Sequence, residues 1–142
     1  MYVCTLELFI KYNKGLRMNN GMLLVANMSM INLQHTALRL AELVELCDTK
    51  CRYSAKDLKK AVLNNSKYFA QVRSYDKLVP LAPINKLKSS FGDTKQAISE
   101  FEITTKDLEN RDGIIYNVKV ANDLILTIEN IINQDSNYIL SK

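Results

Sequence analysis

The sequence predicts an α+β fold that is mainly α: a central helical bundle, then a β-hairpin and a C-terminal amphipathic helix. Three observations predict it. Apolar residues recur at three- and four-residue steps from about Asn32 onward, the period of a helix face. Two runs rich in β-branched residues flank an Asp-Gly pair near residue 112, a hairpin signal. The composition, 47% hydrophobic and 24% charged over 142 residues, is that of a globular chain able to bury a core without staples.

Along the chain, residues 1–29 form a leader without an assigned fold. Tyr2–Ile10 alternates weakly, as a strand does, and Gly21–Ile31 fits either a second strand or the start of a helix. All five methionines fall in the first 30 residues, so part of this leader reads as an upstream translated extension, with the domain starting at Met28 or Met30. Leu33, Ala37, Leu40, Leu43, Val44, Leu46 and Cys47 then share one helical face. Asp48–Tyr53 reads as a polar loop. Ser54-Ala-Lys-Asp57 has the form of a capping box, in which the Ser hydroxyl takes an orphan amide of the first helical turn. Leu58, Ala61 and Val62 form the stripe of a short helix that Asn64-Asn65 stops. A second short helix carries Phe69 and Val72 inward to about Arg73.

Tyr75–Pro80 is expected to turn. Pro83 suits a first helical position, where its missing amide costs nothing. Ile84, Leu87 and Phe91 follow at helical spacing, and Gly92 is placed to end that helix. Phe101–Thr105 and Ile114–Val120 are the expected hairpin strands, joined through Asp107–Gly113. Asn122–Gln134 closes the chain with an amphipathic helix bearing Leu124, Ile125, Ile128, Ile131 and Ile132. The domains expected are thus the leader 1–29, a helical unit 30–92 and a ββα part 93–142.

Charge is distributed unevenly. Residues 50–92 carry ten Lys/Arg against Asp57 and Asp76, whereas residues 93–142 carry five against nine acids. A basic middle beside an acidic end fits either a polyanion-binding surface or a solvated lysine-rich helix face. No stretch approaches the ~18 apolar residues of a membrane span, and Met1–Ile10 lacks the basic start and cleavage site of a secretory signal. Cys4, Cys47 and Cys51 cannot all pair within one chain, and a cytoplasmic protein with reduced thiols is expected.

Signals for chemistry are weak. Cys47 and Cys51 lie four apart with His35 and Cys4 elsewhere, a poor match to a structural zinc set. A lone His argues against His-based catalysis, and no phosphate loop, nucleophile elbow or HExxH motif is present. No enzyme activity, metal, cofactor or small-molecule substrate is expected.

The stretch Ser54-Ala-Lys-Asp-Leu-Lys-Lys-Ala-Val-Leu-Asn-Asn-Ser-Lys-Tyr-Phe-Ala-Gln-Val-Arg73, with Ile84–Gly92, resembles the phage-repressor (Cro-like, XRE) helix-turn-helix family. Leu58, Phe69 and Val72 match the family's core triple, and Leu81, Ile84, Leu87 and Phe91-Gly92 match its last helix. The resemblance covers residues 32–92. Lys59 stands where the family keeps a small residue, and Leu63 where it keeps the turn glycine.

The resemblance implies a capped helix, a tight turn and a recognition helix for the major groove of duplex DNA. The residues it assigns to DNA are Asn65, Ser66, Lys67, Gln71 and Arg73 on the recognition helix. Gln71 is suited to adenine, and Lys67 and Arg73 to guanine or phosphate. Lys56, Lys59, Lys60 and Lys77 flank the helix as phosphate contacts. The expectation is a sequence-specific DNA-binding regulator of repressor type, phage or mobile-element derived. It would act as a homodimer through residues 93–142, without membrane association. The alternative is a protein–protein interaction module, an inhibitor or adaptor, that binds no nucleic acid.

Overall fold

Buried side chains follow one rule through the whole described chain: they alternate at three- and four-residue steps. A computed structural model describes residues 15–16, 19–45, 49–75, 78–106 and 109–141, with side-chain detail from 19–45, 55–75, 78–101, 103, 105–106 and 109–133. In it, helix α1 spans Asn20–Glu45, α2 Thr49–Arg73, α3 Leu81–Thr104 and α4 Arg111–Ser141. The inward row of α1 is Ala26, Met30, Leu33, Ala37, Leu40 and Val44. That of α2 is Ala55, Leu58, Val62, Asn65, Phe69 and Val72, and that of α3 is Ile84, Leu87, Phe91, Thr94, Ile98 and Phe101. In α4 the row is Ile114, Val118, Ala121, Ile125, Ile128 and Ile132. A mean step of 3.5 keeps each row on one side of its helix, so four such helices close around a shared axis.

Pairs between helices fix their directions. Glu45, Gln34 and Asn27 of α1 bond to Lys59, Ser66 and Arg73 of α2, so the two run antiparallel. Asn110, just before α4, donates from Nδ2 to the Leu43 carbonyl oxygen near the end of α1 at 3.1 Å. Lys95 of α3 reaches Glu129 of α4 at 2.6 Å. The short connections between successive helices give the up-down-up-down order, with α1 packed on α2 and α4, and α2 on α3. The contact between α3 and α4 is smaller. At the end of the bundle where α1 begins, β1 (Gly15–Leu16) and β2 (Val79–Pro80) form a two-residue antiparallel pairing, Gly15 opposite Pro80.

Burial energetics settle why helices displace the expected hairpin. Phe101 and Ile114 are both fully buried, but as members of 3.5-residue rows that continue from Ile98 and on to Val118. Burying each such side chain is worth about 1.5–3 kcal/mol. A strand's two-residue alternation, carried on, would put Ala121 and Ile125 on the opposite face from Ile114 and Val118, whereas a helix keeps all four in one buried row. The chain therefore ends α3 at Thr104 and starts α4 at Arg111, leaving Asp112-Gly113 within the first turn of α4. Thr105 closes α3, its hydroxyl and amide both donating to the Phe101 carbonyl oxygen.

The same logic overturns the local stops. Asp48–Tyr53 was expected to loop, yet α2 has begun by Thr49, and the Ser54–Asp57 box lies within the helix rather than at its start. Asn64-Asn65 is no turn but the middle of α2. Gly92 does not end a helix; α3 runs through it, and no described glycine has a positive φ. The expected boundary after residue 92 falls inside α3, so the described residues beyond it are not an appendage but complete the bundle. Gly21–Ile31 is helical, with Met30 in the core. Tyr2–Ile10, Leu46, Cys47 and Cys4 lie outside the described residues, as does the side chain of Cys51.

Candidate interaction surface

Asn65 marks the point where the sequence-derived site and the fold part company. It occupies a core position of α2, directly facing Thr94 at a core position of α3, and both are fully buried. The Asn65 amide lies 2.8 Å from Thr94 Oγ1. Turned with its nitrogen toward the main-chain oxygens of Ala61 and Ser90, it donates to both, at 3.2 and 3.0 Å. A buried amide needs such partners, since an unmet polar group costs about 1–3 kcal/mol. Asn65 is therefore a bundle-interior residue with no face for DNA.

The other expected contacts divide between two sides of α2. Lys59, Ser66 and Arg73 turn toward α1. Lys59 pairs with Glu45, and Ser66 accepts from the Gln34 amide. Arg73 donates to Asn27 Oδ1 at 3.0 Å, with its guanidinium 5.8 Å from the Phe69 ring. Lys56, Lys60, Lys67 and Gln71 instead share the solvent side of α2 and are all exposed. Lys67 stands 5.8 Å from the Tyr68 ring, and Lys56, Lys60 and Lys67 meet no carboxylate among the described residues. Lys77 lies outside the described residues. Phe69 is in the core, as its spacing predicts, and His35 is exposed.

Sequence reasoning missed a surface feature of α1. Helix α1 carries a second apolar row opposite its core row: Leu24, Met28, Ile31 and Leu38, at steps that His35 and Glu42 continue. These four side chains are 60%, 56%, 52% and 50% exposed, and Leu63 on the outer side of α2 is 70% exposed. The signal was available as the spacing Leu24-Met28-Ile31-His35-Leu38, which repeats the 3.5-residue step one face away from the core.

Between α1 and α2 the surface is concave. A groove of about 340 Å³ is lined by Ala37, Leu38, Val62 and Leu63, with Lys59 and the Gln34–Ser66 bond also on its wall. A second hollow of about 210 Å³ continues it past Ile31, Ala70 and Arg73, sharing Gln34 and Ser66. From Lys59 to Arg73 the seam is about 21 Å long at 1.5 Å per residue. Such a surface can bury apolar side chains of a partner while fixing polar ones at a few points.

No known protein family, curated protein or solved structure matches this chain. No helix among the described residues is long and apolar enough to cross a membrane. Nor do His, Cys, Asp or Glu side chains cluster among them as metal ligands would.

Proposed function

We propose that the protein is a helical interaction module that docks another protein on its α1/α2 face. One observation carries this reading: the second apolar row on α1, joined by Leu63 beside the α1/α2 groove. Five large side chains at least half exposed present apolar surface on the order of a few hundred Å², which soluble chains mainly keep for partners. The core does not need them, because each helix already supplies a complete inward row.

Charge-neutral truncation tests it. Leu38→Ala with Leu63→Ala should leave the fold unchanged and weaken partner binding by about 10- to 100-fold, the effect of losing roughly 1.4–2.8 kcal/mol of apolar burial. A partner bound equally well by the double variant would reject this face.

A second reading, binding of duplex DNA by residues 50–92, is favoured by Lys56, Lys60, Lys67 and Gln71 sharing one exposed face. It would work through backbone phosphates along an uninterrupted helix, since α2 has no turn to set off a recognition helix. Its mark would be a loss of orders of magnitude in affinity between ~50 and ~200 mM salt. Dimerisation through residues 93–142 has less to draw on: Ile125, Ile128, Ile131 and Ile132 are buried inside the chain's own bundle.

A further inference from the structure

Resting on the docking reading above, we infer that the α1/α2 groove takes an acidic amphipathic helix, with its apolar side on Leu38 and Leu63 and its carboxylates against Lys56, Lys60 and Lys67. The outer row of α2 runs Lys56, Lys60, Leu63, Lys67, at steps of four, three and four residues. One apolar contact is thus set in a line of three cations about 16 Å long. The outer row of α1 supplies the opposite wall through Ile31 and Leu38. The seam between them, about 21 Å long, matches roughly four turns of a guest helix. The guest's apolar stripe at 3.5-residue spacing meets both walls. The edge of the guest that faces α2 meets lysines with no carboxylate of their own among the described residues, which selects acidic side chains there.

Charge also decides against a second copy as the occupant. A copy docked through the same face would bring the row Lys56, Lys60 and Lys67 against the same row of the second copy. Among the described residues the carboxylates on or beside that face are Glu42, Glu45 and Asp57, and Glu45 is held by Lys59, which leaves the lysines in excess. Like charges brought together at an interface disfavour the pairing. The concave seam and the placing of the lysines along one edge of the apolar row fit a helix lying in the groove better than a flat lipid surface.

The test uses the full chain and three synthetic 21-residue helical peptides. One carries leucines at heptad a and d positions with glutamates beside them; one has lysines for the glutamates; the third is a scramble of the acidic sequence. Fluorescence anisotropy gives affinities, and amide shift mapping locates the site. The acidic helix should bind at least about tenfold tighter than the basic one and the scramble, shifting residues around Leu38, Leu63 and Lys60. Lys56→Glu/Lys60→Glu/Lys67→Glu should reverse the preference, and Leu38→Ala/Leu63→Ala should weaken both helices. These positions are exposed, so an unchanged melting curve certifies each variant.

Equal binding of the acidic and scrambled peptides, or shifts on α3 or α4, overturns the proposal. Tighter binding of the basic helix in the same groove overturns the acidic assignment while leaving docking intact. Self-association that Leu38→Ala/Leu63→Ala abolishes, with no peptide bound, gives the face to a second copy. Binding only to anionic vesicles or to duplex DNA overturns both the helix and the docking reading.

Discussion

Asn65→Asp should destabilise the protein severely at neutral pH and far less in mild acid. The amide is fully buried and faces the main-chain oxygens of Ala61 and Ser90, which can only accept hydrogen bonds. A carboxylate there would lose the amide's donors and place its charge against two carbonyl dipoles, with only the Thr94 and Ser90 hydroxyls at hand, both already donating to main-chain oxygens. Burial and those carbonyls raise the folded-state pKa of the new carboxyl above its unfolded value of about 3.9. Below that value both states hold the proton. As pH rises, the unfolded chain releases it first, so stability falls until the folded-state pKa is passed.

The ceiling on the ionisation cost at pH 7 is roughly three pH units at about 1.4 kcal/mol each, or ~4 kcal/mol, falling to ~1.5 kcal/mol at pH 5. Against a usual total of about 5–15 kcal/mol, the loss at pH 7 is large. Urea unfolding followed by circular dichroism at 222 nm, for both proteins at pH 5, 6 and 7, measures the difference. At an exposed site, such as the start of a recognition helix, the change would stay within about 0.5 kcal/mol and vary little with pH. That result would refute the burial of Asn65 and restore the turn.

Other substitutions probe separate parts of the structure. Gly92→Ala should stabilise the protein by about 0.5–1 kcal/mol, because α3 is continuous there and a Cβ meets nothing within 4 Å. Had Gly92 been a left-handed helix cap, the same change would destabilise it, and thermal melts separate the two. Phe91→Ala, at a fully buried core position, should cost about 3–5 kcal/mol and lower the urea midpoint sharply. Leu63→Glu should alter stability by less than about 0.5 kcal/mol, since the side chain is 70% exposed, while abolishing capture of the acidic amphipathic helix. Lys59→Ala removes a half-exposed ion pair with Glu45 and should cost no more than about 1 kcal/mol by the same unfolding assay.

The sequence by itself determined many of the side chains that lie inside. Leu33, Ala37, Leu40 and Val44, the triple Leu58, Phe69 and Val72, the trio Ile84, Leu87 and Phe91, and Ile125 to Ile132 all recur at helical spacing, and all are buried. Periodicity carries that information because a helix returns to one face every 3.6 residues whatever it packs against. Where helices stop was decided only by tertiary structure. Asn64-Asn65 reads locally as a break, since Asn competes for backbone hydrogen bonds. Thr94 and Ser90, some 25 to 29 residues further on, supply the partners that let Asn65 continue the helix inside the core. Gly92 and Asp112-Gly113 likewise carry local turn signals, which lose to the apolar rows running through them.

The candidate surface follows the same division. The lysines of α2 were legible as charge, but which of them face solvent and which face α1 depended on the placing of Glu45, Gln34 and Asn27 on a neighbouring helix. Likewise the row Leu24, Met28, Ile31 and Leu38 is apolar in sequence whether it faces inward or outward. Only once α2 and α4 had packed against the other side of α1 was it left exposed.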